Sequence, residues 1–313
     1  MTATKTATDG GSEAGFVLGD GGIETALEER LGWELPEFAA FVLLASGAGR
    51  DALREYYLPF LELASGAEAP LSLDTPTWRA NPDWVALVEG AAAGDLPGRV
   101  SALNADAVAL VRETALRLAP DSRVEVNGVV GPRFDDFEEA SRMTAEEAER
   151  YHAPQVRALA EAGADRVTAV TTLDAAEGIG VVRAAVQARV PVVVSFTVGA
   201  DGALADGSTL AQAIAEVDRA TDHAAVGFAV NCAHPEEVAR GIDAGAPETA
   251  RLRGFRLNAA RDGEEGPGDG PADFAAALVR LSALAPSASV LGGCCGTDAP
   301  HIAALLDAVR ASR

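Results

Sequence analysis

The sequence predicts an α/β fold, a single (β/α)8 TIM barrel. Two observations predict it. Eight short apolar runs alternate with eight longer stretches of helical periodicity, the pattern of repeated βα units. The chain has 313 residues and is 48% hydrophobic, enough to bury one large core, and one α/β barrel uses nearly all of that length. Residues 14–313 are therefore assigned to the barrel. Residues 1–13, which lack apolar periodicity, are assigned to a disordered N-terminal tail.

Taken in order, the first strand is expected at 16–18, an apolar triplet that runs into Asp20-Gly21-Gly22, and a helix follows at 52–64. The second strand, 70–73, leads into Asp74 to Trp78 and a helix at 102–118. The third, 124–130, ends at Gly131-Pro132, and its helix at 145–162 is closed by Gly163. The fourth, 166–170, is followed by Thr171-Thr172 and a helix at 175–188. The fifth, 192–196, precedes a helix at 210–222 whose start is marked by Ser208-Thr209. The sixth, 226–230, meets Asn231-Cys232, and Pro235 opens the helix at 235–244. The seventh, 254–257, leads into a polar, glycine-rich loop at 262–270 and a helix at 272–285. The eighth, 289–291, runs into Gly292-Gly293-Cys294-Cys295-Gly296-Thr297 and a last helix at 300–311. Active sites of such barrels lie where the strands end, and each of these polar motifs falls there.

Composition narrows the partners. A formal charge of −22 disfavours nucleic acid and anionic membrane, because phosphate binding needs clustered Lys and Arg. Lys5 is the only lysine, and no role in chemistry follows from that. No run of eighteen apolar residues occurs, and the first dozen residues lack an apolar signal core. A cytoplasmic protein that acts on small molecules is the expectation, in a compartment where thiols stay reduced.

Cys232, Cys294 and Cys295 are the only cysteines. An odd number in so long a chain argues against a disulfide framework. A lone buried cysteine is often a small hydrophobe, but an adjacent pair between glycines is harder to explain by packing. From the residues alone a metal site, a reactive redox pair and plain core cysteines stay open. A soft divalent ion held by three thiolates with one open position would turn a substrate thiol into a nucleophile near neutral pH. For both neighbouring sulfurs to reach one ion, a bend is needed at Gly292-Gly293 or Gly296.

Further motifs raise the metal reading. The run from Gly292 to Thr297, the following Pro300-His301-Ile302, Asn231-Cys232, Asp20-Gly21-Gly22, Gly131-Pro132, Ser195-Phe196-Thr197 and the segment LADGSTL at 204–210 together resemble the homocysteine S-methyltransferase family, over about residues 15–312. The resemblance implies a Zn2+ ion held by Cys232, Cys294 and Cys295. It also implies a small-molecule thiol acceptor, homocysteine, methylated to methionine by a sulfonium or ammonium donor. The length matches the short members that use S-methylmethionine or S-adenosylmethionine. Asp20, with Gly21 beside it, matches the acid that holds the homocysteine amine, as an anion beside an ammonium should. An Asp-Gly-Gly run is also an ordinary turn.

The sequence departs from the family at two loops. Members usually carry a second acid in a Glu-Thr pair after the fourth strand, where this chain has Thr171-Thr172; Glu177 matches a later glutamate of the segment. The second loop reads Asp74-Thr75-Pro76-Thr77-Trp78 instead of Thr-Asn-Thr-aromatic, so Asp74 is a substitute for the lost charge. These changes open the alternative of a different thiol acceptor, and a zinc or thiol-redox sensor on the same scaffold is the non-catalytic one. Trp78 is either an aromatic wall for an onium donor or a rim packing residue. Asn231 and Asn258 either touch substrate and orient sulfur or act as caps. His301 is read as a first-turn helical residue, and His152, His223 and His234 receive no role.

Overall fold

The computed structural model describes residues 15–90, 92, 94–134 and 142–312; the tail expected at 1–13 lies outside the described residues. Eight parallel strands close in sequence order: β1 (Val17–Gly19), β2 (Leu71–Asp74), β3 (Val124–Val130), β4 (Arg166–Thr172), β5 (Val192–Phe196), β6 (Gly227–Asn231), β7 (Leu252–Leu257) and β8 (Val290–Gly293). The last joins the first through Val17 opposite Val290 and Leu18 opposite Leu291. Every expected strand is present. Most ends move by one or two residues, because pairing with neighbours rather than local hydrophobicity sets where a ladder stops.

Strand alternation explains the two-sided burial. Phe196, Phe228, Val230, Phe255 and Leu257 are buried, and Phe196 stacks on Phe228 with ring centroids 6.1 Å apart. Residues of the opposite phase line the cavity instead: Asn127 and Val129, Thr168 and Val170, Val193 and Ser195, Ala229 and Asn231, Gly254 and Arg256. Ala229 and Gly254 are too small to fill the centre, which leaves a cavity of about 420 Å³ open at the carboxyl ends of the strands.

The helices begin where their caps dictate. After β1 come a short turn α1 (Ile23–Thr25), which continues as a π-turn Ala26–Arg30, two 3-10 turns at Pro36–Phe38 and Ala40–Ala45, and α2 (Gly47–Ala67), capped by Ser46. The helix α3 (Pro82–Glu89), with Asn81 as cap, is an addition to the expected set; at two turns it is too short for its periodicity to stand out. The remaining helices are α4 (Leu96–Leu118), α5 (Ala145–Glu161), α6 (Ala175–Ala188), α7 (Leu210–Thr221), α8 (Pro235–Gly241), α9 (Pro271–Ser282) and α10 (Ala299–Ala311). Thr144 with Glu147 and Thr209 with Gln212 form capping boxes at α5 and α7. Among the described residues no helix is long and apolar enough to cross a membrane.

Candidate active site

Three strand ends build the sulfur cluster. β7 lies between β6 and β8, and its last residues anchor all three cysteine amides. Cys232 N–H donates to Arg256 O (3.2 Å), Cys294 N–H to Leu257 O (2.8 Å), and Cys295 N–H to the side-chain oxygen of Asn258 (3.1 Å). Cys232 has a left-handed backbone, φ 57°, which breaks the strand direction after Asn231. The bend expected beside the cysteine pair occurs at Gly296, φ 72°, whereas Gly293 is required by contact: a Cβ there would lie 1.9 Å from Thr297 Oγ1.

As a result the three Sγ atoms lie within 4.8 Å of one another, with Cys232 and Cys295 4.0 Å apart. Four ligands at about 2.3 Å from a tetrahedral zinc stand about 3.8 Å apart, so the donor set and its spacing fit a thiophilic divalent ion. All three residues are half-buried and line the cavity, which leaves a side of the cluster facing a ligand. Hydrogen bonds from Cys294 and Cys295 hold the Cys232 thiol well below its usual range. The same bonding to Cys232 pushes Cys294 up to about 12 and Cys295 well above its ordinary value. A cation that takes all three sulfurs as thiolates displaces their protons. Asn258 lies outside the cavity lining; besides holding the Cys295 amide, its Nδ2 is 4.0 Å from Cys232 Sγ.

Behind the cluster sits an ion-pair core that sequence reasoning missed. Arg256, on β7, bonds through Nη2 to Asp20 Oδ1, and its Nη1 lies 3.0 Å from Asp74 Oδ1. Asp20 is fully buried, outside the cavity lining, and its second oxygen accepts the Asp74 amide at 3.3 Å. Burial pushes Asp20 up to about 7 against the pull of Arg256; burial also works against the Arg256 charge, but the two carboxylates outweigh it and raise its pKa. Asp74 lines the cavity, with Oδ1 also accepting from Asn127 Nδ2 at 2.7 Å. The signal for Arg256 was present, since it shares the inward phase with Gly254 between the outward Phe255 and Leu257.

The other expected residues sit as follows. Gly21 lines the cavity, and its carbonyl accepts from Tyr56 Oη at 2.9 Å. Thr171 and Asn231 also line it and are bonded to each other: Asn231 Oδ1 accepts from Thr171 N–H (2.9 Å) and Ser195 Oγ (2.7 Å), and Asn231 Nδ2 donates to Thr171 Oγ1 (3.1 Å). Thr171 has φ 55°, an unusual conformation for a β-branched residue, where the register between β4 and β5 shifts. Trp78 lines the cavity with the Arg79 guanidinium 3.9 Å from its ring centroid, and Trp84 covers Arg79 at 3.6 Å. Glu177 belongs to the scaffold, bonded to His152 Nε2 (2.8 Å) and the Arg133 amide (3.0 Å). The glycine-rich loop after β7 is fastened by Asp269, whose carbonyl meets His301 Nε2 (3.2 Å) and whose carboxylate meets His234 Nε2 (3.0 Å).

Residues 17–309 match the sequence model of the family described as homocysteine S-methyltransferase. The oxidized form of the homocysteine methyltransferase MmuM from Escherichia coli shares the fold with a TM-score of 0.75 and 23% identity, covering 95% of this chain and 96% of that one. Its metallated form gives a TM-score of 0.73 and 24% identity, covering 93% and 96%. A comparison with curated proteins gives no match.

Proposed function

Because this chain belongs to the homocysteine S-methyltransferase family and is thus a methyltransferase, we propose that it methylates homocysteine to methionine, using a zinc ion held by Cys232, Cys294 and Cys295. The observation that carries this reading is the convergence of three sulfurs within 4.8 Å at the wall of a cavity of about 420 Å³. The metallated form of MmuM is in keeping with a metal at such a site. The methyl donor on this reading is a sulfonium or ammonium compound, with S-methylmethionine or S-adenosylmethionine favoured. The cytoplasm, where thiols stay reduced, is the compartment that suits three free cysteines.

Bound there, zinc supplies Lewis acidity that lowers the pKa of an acceptor thiol from about 8.5 toward neutrality. The protein's own contribution is position and medium. The β7 anchors fix the cysteines before any ligand arrives, so little reorganisation remains to be done on binding. In the transfer, the acceptor sulfur forms its bond to the methyl carbon in line with the bond that breaks to the donor heteroatom. The thiol proton goes to solvent and the donor leaves neutral. A cationic donor and an anionic acceptor thereby cancel charge, a step that removal from bulk water favours. Trp78 supplies an aromatic wall on the donor side.

Replacement of Cys232, Cys294 or Cys295 by alanine, one at a time, tests the reading. Each variant is expected to lose bound zinc, measured by plasma mass spectrometry, and to lose methyl transfer from S-methylmethionine or S-adenosylmethionine to homocysteine. Melting temperatures should change little, since the cysteines are half-buried on a finished barrel. Retained zinc and retained turnover in any one variant would remove that residue from the site.

A further inference from the structure

One acid that lines the cavity has no arginine partner among the described residues. Asp20 and Asp74 are both engaged by Arg256. Glu37, at the rim, is exposed to water. Thr171 brings no charge where the family resemblance leads one to expect a glutamate. Glu24 is different. It lines the same cavity as the three cysteines, is half-buried, and makes no ion pair among the described residues. Burial lifts its pKa to about 8.

Its position is built, not incidental. On one side of Glu24, Gly22 packs against the Cys294 carbonyl so tightly that a Cβ would come within 2.4 Å of it. On the other side, Thr25 Oγ1 accepts from the Gly296 amide at 3.4 Å. Both neighbours thus pin α1 to the turn that carries Cys294 and Cys295. Ionising an acid in such a place is costly unless a ligand brings the positive charge. An amino-acid thiol whose sulfur meets the cysteine cluster carries its ammonium only a short aliphatic spacer away.

We propose that Glu24 binds the α-ammonium group of the acceptor and is the residue by which this cavity selects an amino-acid thiol over a simple one. The proposal rests on the functional reading above. Asp20, buried beneath Arg256, then serves to hold the guanidinium, while Glu24 faces the substrate.

The test compares homocysteine with 4-mercaptobutyrate, the same thiol without its amine, on zinc-loaded wild type and Glu24→Gln, with binding by calorimetry and kcat/KM from product mass spectrometry. Wild type should prefer homocysteine. In Glu24→Gln that preference should fall about 10- to 100-fold, chiefly through Kd and KM, as expected when a charged hydrogen-bonding partner is lost. Zinc content and melting temperature report whether the variant keeps the site and the fold. If the variant is folded and zinc-loaded and the preference is undiminished, Glu24 does not hold the ammonium; if it loses zinc, Glu24 supports the cluster instead and the proposal is overturned. Wild type that methylates homocysteine and 4-mercaptobutyrate equally well also overturns it, while leaving methyl transfer intact. Wild type that methylates neither thiol overturns the functional reading itself.

Discussion

Asn231→Ala removes the clamp that holds β4, β5 and β6 together at the cavity wall. Asn231 Oδ1 accepts two bonds, from Thr171 N–H at 2.9 Å and Ser195 Oγ at 2.7 Å, and Nδ2 donates a third to Thr171 Oγ1 at 3.1 Å. Thr171 and Ser195 are both buried, so water does not readily replace the lost partner. Leaving the Thr171 amide unsatisfied costs about 1–3 kcal/mol. The Ser195 hydroxyl can rotate, so its loss adds about 0.5–1.5 kcal/mol. The total comes to about 2–4 kcal/mol, and at about 2–4 °C per kcal/mol for a large domain the melting temperature should drop by roughly 5–15 °C. Differential scanning calorimetry measures that drop, and hydrogen exchange should find the Thr171 amide opening faster, because its left-handed backbone no longer has a partner. Ser195→Ala, which removes one bond and leaves the Thr171 amide paired, should cost about 1 kcal/mol. A drop below about 2 °C for Asn231→Ala, with the Thr171 amide as protected as before, would refute the clamp.

Two further outcomes follow from the charges at the barrel centre. Arg256→Leu strands Asp20 and Asp74 without their cation and should destabilise the protein by about 3–5 kcal/mol in urea titration, more than Asp20→Asn does; equal stability of Arg256→Leu and wild type would contradict the ion-pair core. For Glu24 the sign runs against the usual carboxylate. Its folded pKa of about 8 lies above the ordinary 4.5, so between those values the native state holds a proton that the unfolded chain has lost, and unfolding free energy falls as pH rises through that window. Glu24→Gln should remove that part of the slope, as measured by denaturation at a series of pH values from 5 to 8; parallel pH curves for the two proteins would show that Glu24 titrates normally.

How far the chain could be read depended on whether the relevant contact was local. The eight strands were legible because short apolar runs between helical stretches are a local signal, and Thr209 stands beside the helix it starts. Cys232, Cys294 and Cys295 became legible as a set through the family resemblance, since the residues alone left a metal site, a redox pair and core cysteines open. The helix α3 and the turns after β1 were not, being too short to carry a period. Neither was the left-handed backbone of Thr171 and Cys232, which no threonine or cysteine announces.

Sequence, read with the family resemblance, therefore determined the barrel, the strand ends on which the polar motifs gather, and the three sulfurs that come together. Only the tertiary structure decided where each acid sits. Asp20 and Arg256 are 236 positions apart, and their pairing exists because closure of the barrel brings the ends of β1 and β7 to one centre. That closure buries Asp20 outside the cavity lining and leaves Glu24 within it, a difference that depends on burial, and burial belongs to the assembled sheet rather than to any segment of the chain.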